Sequence, residues 1–401
     1  MLTRRTIATT AFGFAVSLAL CAAPARAQDA KEPITIGVPM PLSGVLAQGG
    51  QSILTGIKYA AKNINDAGGV LGHPVKLVIE DTKSEPNTSA AVASKMAAQE
   101  KVYAFVGGYG STADFAMLQS IKRYKPIFIH TASSSVKLEN TFGKEPWYYH
   151  VYIWDYHRQR AVVGFLNQMN PKPKTVALAY ENGLYGSDAA KYAKEYIAKA
   201  GYELVMDEPF KSGSPDFSPI LTRVRSVDPD VFFSIGYSGD NIQLVRQESD
   251  LDIHPKLTMV VSAGDKRSDY GDFGTGTAMI SEWSAEAQTP GNAEWVKKVK
   301  ADTGMETIAP PFLQGFVGMN SLAQSIEKAG TLDKEAVLKA LDTTEFDTPY
   351  GKLKYSPSER GAEHQLLTNE QMVLIQFRKD GEEVVLPADR ANGKLVYPAN
   401  H

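Results

Sequence analysis

Residues 34–81, ITIGVPMPLSGVLAQGGQSILTGIKYAAKNINDAGGVLGHPVKLVIED, constrain the fold more than any other stretch. An apolar run ends in Pro-Leu-Ser-Gly. Ile53, Ile57, Ala60, Ala61 and Ile64 then recur at helical spacing, and a second apolar run closes the segment. Asn65-Asp66-Ala67-Gly68-Gly69 stops the helix, because glycine accepts the left-handed cap. Strand, helix and strand in this order open a parallel sheet.

The alternation continues along the chain. Strands are expected at 75–80, 102–107 and 126–130, and helices at 89–100 and 111–124, the latter opened by a capping box of Ser111 and Asp114. The aromatic run 147–158 (WYYHVYIWDYHR) changes the texture and suits a lobe edge or crossover, packed rather than offered as a stacking site. A second series follows, with strands at 175–180, 202–209, 231–235 and 256–262 and helices at 187–200, 216–227 and 241–250. A helix at 310–330 and strands at 352–355 and 372–377 come late. Two series of similar length predict an α/β protein of two lobes, each with its own parallel sheet.

The first 27 residues have a basic start (Arg4, Arg5), an apolar stretch at 11–23, and Ala25-Arg26-Ala27 before Gln28. This is the pattern of a secretory signal cleaved after Ala27, and its apolar part is too short for a membrane span. The Arg4-Arg5 pair leaves the twin-arginine route open. Cys21 as a lipoprotein cysteine is disfavoured by the bulk of Leu20. As Cys21 is the only cysteine, the mature chain has no disulfide, cysteine nucleophile or thiolate metal site. The formal charge of −3 loses Arg4, Arg5 and Arg26 on cleavage, so 39 basic against 45 acidic residues leave −6. That balance gives no electrostatic case for nucleic acid or anionic lipid. No second apolar run reaches spanning length, so no membrane insertion is expected.

In open parallel sheets, ligands bind beyond the carboxyl ends of the strands, where helix N-termini offer free N–H groups. Ser111 and Thr112 follow one expected strand, and Thr131-Ala132-Ser133-Ser134-Ser135 follows the next. Their hydroxyl and backbone donors, with the helix dipole, suffice for a carboxylate without any arginine. The plainer alternative makes Ser111 a helix cap and the serine run a turn. Tyr185 and Tyr237 follow strands of the second series, either as rim tyrosines with a polar tip or as packed surface aromatics. Asp155 either lines the cleft or caps a helix. Enzyme signatures are missing: Gly236-Tyr237-Ser238-Gly239 has the wrong spacing for a nucleophile elbow, and there is no Walker loop or dinucleotide fingerprint. The seven histidines are scattered without metal-ligand spacing, so they are structural or solvated. No cofactor and no metal are expected, and nothing argues for a hydrolase built on Ser238.

The opening segment, with VGGYGSTA (106–113), PIFIHTASSS (126–135), YENGLYGSD (180–188), FSPILTRVRSVDPDVFF (217–233) and FRKDGEEVV (377–385), resembles the periplasmic solute-binding proteins of the branched-chain amino acid (leucine/isoleucine/valine-binding) ABC importer family. The resemblance runs over nearly the whole mature chain. It implies a type I periplasmic binding fold, a hinged clamp whose chain crosses between lobes three times. One lobe would hold 31–154 plus 288–365, the other 155–287 plus 366–401. It implies a monomer that captures a small carboxylate-bearing solute, a hydrophobic amino acid or an aromatic acid, and delivers it to an inner-membrane permease and ATPase complex.

In those relatives the positions matching Ser111, Ser133 and Ser135 contact a carboxylate, and tyrosines at Tyr185 and Tyr237 contact the ligand. Two departures stand out. The glutamate that holds the ammonium group is replaced within Ser262-Ala263-Gly264-Asp265, where Gly264 has its register and Asp265 is the nearest acid. An aromatic residue is replaced by Gly49, which is expected to enlarge the pocket. The expected ligand-binding set is therefore Ser111, Thr112, Ser133, Ser135, Tyr185, Tyr237 and Asp265. The alternative is a sensor domain, which in a chain ending at His401 would signal by docking to a separate membrane partner.

Overall fold

The computed structural model describes residues 31–399; the leader and its expected cleavage site lie outside the described residues. The first series comprises β1 (Ile34–Met40), α1 (Ala47–Asp66), β2 (Val75–Asp81), α2 (Pro86–Ala98), β3 (Ala104–Gly107), α3 (Ser111–Ile121), β4 (Ile127–His130), α4 (Val136–Phe142) and β5 (Tyr148–His150). The second comprises α5 (Asp155–Leu166), β6 (Thr175–Glu181), α6 (Leu184–Lys199), β7 (Glu203–Phe210), α7 (Ser218–Val227), β8 (Val231–Ile235), α8 (Ser238–Asp250), β9 (Leu257–Val261) and β10 (Ala278–Ser281). Then come α9 (Asn292–Thr303), α10 (Pro310–Ala329), α11 (Lys334–Thr343), the hairpin β11 (Phe346–Thr348) and β12 (Gly351–Leu353), and β13 (Val373–Arg378) with β14 (Gly381–Leu386).

Central strands are buried at every position because each side chain has a core to enter, on alternate faces. In β3 and β4, Ala104, Val106, Ile127 and Ile129 pack towards Ile53, Ile57, Phe312 and Leu313 of α1 and α10. Phe105 and Phe128 pack the other way, against Met96, Met117 and Leu118. The second sheet repeats this, with Val231, Phe233 and Ile235 in one core and Phe232 in another. Burying each large apolar side chain contributes roughly 1.5–3 kcal/mol before entropy is charged.

The first sheet has the order β2-β1-β3-β4-β5, all parallel. The second has the order β14-β13-β10-β9-β8-β6-β7, parallel from β7 to β10 and antiparallel at β13 and β14. Both reverse direction beside their first strand, at β1/β3 and at β6/β8, giving two switch points. Helices α9, α10 and α11 supply Val296, Phe312 and Val337 to the core of the first sheet. The chain therefore passes between the sheets three times, near 151–154, 282–291 and 356–372.

The aromatic run lies at the first crossing. Trp147, Tyr148, Tyr149, Tyr152, Trp154 and Tyr156 are all buried, shared among three cores, and His150 stacks on Trp154 with centroids 3.7 Å apart. The capping box is corrected: Gly110 (φ 101) is the cap of α3, Ser111 is its first helical residue, and no side chain caps it. Asp114 instead accepts from Ser133 and bonds His130. Helices α4, α5, α9 and α11 and strands β5, β10, β11 and β14 were not anticipated from the sequence pattern.

Candidate functional site

The loops after β3, β4, β6, β8 and β9 meet at a cavity with ≈ 370 Å³ of empty space, its open mouth included. It lies at the carboxyl ends of strands from both sheets, next to both switch points. The first lobe contributes Tyr109, Gly110, Ser111, Ala132, Ser133 and Ser134, with Pro311 and Gln314 from the start of α10. The facing wall carries Tyr152, Arg158, Tyr185, Tyr237, Ser262 and Ala263. Helices α3, α5, α6, α8 and α10 all begin at or beside these residues. Their positive dipole ends favour an anion.

The serine run does less than its composition promises. Ser133 Oγ donates to Asp114 Oδ2 at 2.6 Å, Ser134 Oγ to Asp155 Oδ1 at 2.6 Å, and Ser135 Oγ to Asp188 Oδ2. A hydroxyl has one proton, so all three are spent on aspartates. Ser133 stands in the left-handed region (φ 71) and lines the cavity with its lone pairs; Ser135 caps α4 and does not line it. Ser111 Oγ accepts from Ser135 N at 3.3 Å, which leaves its own proton for a ligand.

Thr112 also stands outside the lining, its Oγ1 accepting from Leu184 N at 3.1 Å across the cleft. Asp265 accepts from Ala263 N at 2.9 Å and from Tyr270 OH, and borders a neighbouring groove rather than the cavity. Burial raises its pKa. Of the seven expected residues, the structure brings together Ser111, Ser133, Tyr185 and Tyr237.

The expected ligand-binding set contains no arginine, yet Arg158, which is 2% exposed, lines the cavity from the first turn of α5. Its Nη1 donates to Asp155 Oδ1 at 2.9 Å and Ser134 Oγ at 3.2 Å, and its Nη2 to Tyr152 OH at 2.8 Å. The guanidinium lies 5.4 Å from the Tyr152 ring and 5.5 Å from that of Tyr185. Burial opposes its charge, but Tyr152, Tyr185 and Asp155 outweigh that and raise its pKa. Asp155 is pushed up to about 7, chiefly by burial, with Arg158 and Ser134 pulling the other way. Arg158 Nε is buried with no protein partner, as are Gln314 Oε1 and Ser262 Oγ, all on residues that line the cavity. Burial also raises the pKa of Tyr185 and Tyr237, so both keep a phenolic proton.

The two walls touch. Tyr109 OH donates to Ala263 O at 2.7 Å, Gln48 Nε2 to Asp269 Oδ2 at 2.7 Å, and Gln314 Nε2 to Glu282 Oε1 at 2.7 Å. Tyr237 meets Tyr109 edge-on at 5.9 Å and Tyr185 at 5.2 Å. Gly49 does not enlarge the pocket. A β-carbon there would lie 2.5 Å from the Tyr109 ring and 2.6 Å from Ala263 O, because Tyr109 and the backbone at Gly264 (φ 116) occupy the space.

His130 is buried between Asp114 (2.9 Å) and Tyr148 OH (2.6 Å), and burial lowers the pKa of His150. These histidines are structural, not solvated. Among the described residues no group of three His, Cys, Asp or Glu side chains is placed to hold a metal. No described helix is long and apolar enough to cross a membrane.

Residues 33–382 match the family described as periplasmic binding protein. The chain belongs to that family. A Leu/Ile/Val-binding protein of Rhizobium johnstonii, BraC3, is 26% identical over 347 residues, 84% of this chain and 91% of that protein. The branched-chain amino acid substrate-binding protein LivJ of Streptococcus pneumoniae, solved with isoleucine, matches with a TM-score of 0.77 at 21% identity, covering 88% of this chain and all 100% of that one. An ABC-transporter solute-binding protein from R. palustris, solved with benzoate, matches with a TM-score of 0.79 at 17% identity, covering 92% and 100%. The fold is the bilobal type I clamp, and the protein binds solutes; it is not an enzyme.

Proposed function

We propose that this chain captures a small carboxylate-bearing solute in the periplasm and hands it to an inner-membrane ABC permease and ATPase complex. It is exported by a leader cleaved after Ala27 and acts as a monomer. Its lobes comprise 31–154 plus 288–365 and 155–287 plus 366–401. The observation that carries the carboxylate reading is Arg158: a buried cation on the cavity wall, with Nε unpaired. Leaving such a donor unpaired costs about 1–3 kcal/mol, which a ligand carboxylate recovers. Ser111 Oγ and the first N–H groups of α3 supply further donors on the facing wall. The isoleucine and benzoate held by the two structural neighbours both carry a carboxylate.

Capture proceeds by hinge closure. Contacts from both walls exist only when the lobes are shut, so the solute shifts the population towards the closed form. Titration calorimetry against a panel of amino acids and aromatic acids, with small-angle scattering on the same samples, tests this. Micromolar binding of at least one carboxylate with a drop in radius of gyration is expected. No retained acid and unchanged scattering across the panel would overturn the proposal.

A further inference from the structure

An amino acid and an aromatic acid share a carboxylate and differ in the ammonium group beside it. Resting on the carboxylate-capture reading, we infer that this site takes an aromatic acid that carries no α-ammonium group.

Arg158 is the one fixed charge among the lining side chains; no Asp or Glu lines the cavity. An α-ammonium sits one carbon from the carboxylate. A carboxylate held by Arg158 would therefore bring that ammonium within a few ångströms of the guanidinium. Two like charges in a site with little water repel strongly. The nearby acids stand off the lining. Asp155 Oδ1 is taken by Arg158 and Ser134 while its Oδ2 is buried without a partner, and Glu282 Oε1 is taken by Gln314, with Oε2 3.4 Å from Tyr152 OH. Asp265 is bound to Ala263 N and Tyr270.

What the cavity offers instead is a slot of rings. Tyr109, Tyr237 and Tyr185 contact one another in sequence at 5.9 and 5.2 Å, with Pro311 beside them on the lining. An aromatic ring fits such a wall by edge and offset contacts. The unpaired acceptors Gln314 Oε1 and Ser262 Oγ are neutral and suit a neutral donor, such as a ring hydroxyl.

Matched pairs isolate the ammonium: phenylalanine against 3-phenylpropanoate, and phenylglycine against phenylacetate. Calorimetry would use the mature protein, unfolded and refolded to release any carried solute. In at least one pair the acid without the ammonium should bind roughly a hundredfold tighter. Equal or tighter binding of the amino acid in both pairs, or leucine binding above every ring acid, overturns the inference and leaves carboxylate capture standing. If 3-phenylpropanamide binds as well as 3-phenylpropanoate, or nothing binds, carboxylate capture fails and this inference with it.

Discussion

The two walls of the cleft solve different problems with different residues. The first is made of small groups on strand-to-helix turns, Gly110, Ser111, Ser133 and Ser134, with two of its three hydroxyl protons already given to aspartates. The second carries Tyr152, Arg158, Tyr185 and Tyr237, large side chains that combine apolar area with a polar tip. One wall sets shape and local field; the other supplies formal charge and contact area on closure. Hydroxyl-rich and anion-binding are therefore not the same property here.

The sharpest test of that division is Arg158→Gln. Losing a charge-assisted pair costs about 1.5–3 kcal/mol, so carboxylate affinity should fall about a hundredfold by calorimetry. Circular dichroism should show the fold intact, with lower stability because buried Asp155 loses its partner. Affinity within threefold of the original would mean that the first wall holds the carboxylate after all. Next comes Gly49→Ala, which places a methyl group against Tyr109 and Ala263 and blocks the walls from meeting. About a tenfold loss of affinity is expected, on the order of 1–3 kcal/mol of overpacking expressed only in the closed form. Scattering with ligand should stay at the open value, and normal closure would sink the assignment.

The smallest effect concerns pH. Asp155 has a folded value of about 7 against an ordinary 3.8, so between those limits the folded state holds a proton that the unfolded state has lost. Its contribution to stability is present below about pH 4 and disappears as pH rises through about 7. Once ionised, Asp155 also competes with the ligand for Arg158, so affinity should fall a few-fold from pH 6 to pH 8. Asp155→Asn should flatten both the melting and the binding profiles over that range. A profile unchanged by the substitution would remove Asp155 from the second wall's electrostatics.

Much of the fold was legible because central strands and one-sided helices leave clear patterns. Val231–Ile235 is buried at every position and reads as a strand, while α1 keeps a polar face that reveals its period. Helix α5 leaves no such mark, since Asp155, Tyr156, His157, Arg158 and Gln159 are consecutive and all buried. Arg158 was therefore hidden inside an aromatic run that looked like packing. The serines were visible, but not the aspartates that take their protons, which lie 19, 21 and 53 residues away in sequence. Gly49 misled for a related reason, because the ring that fills its space is Tyr109, on another element. Periodicity reports which face is buried; it does not report which partner a buried polar group has found.

Three separate passages of backbone join the two sheets, and that number has a mechanical meaning. A single tether would let one half tumble freely about the other. Three tethers side by side allow bending about a shared axis and resist both twisting and sliding. Under the proposed hinge closure, every swing would return Arg158 to the same spot on the wall facing Ser111, much as a door on several pins always meets its latch.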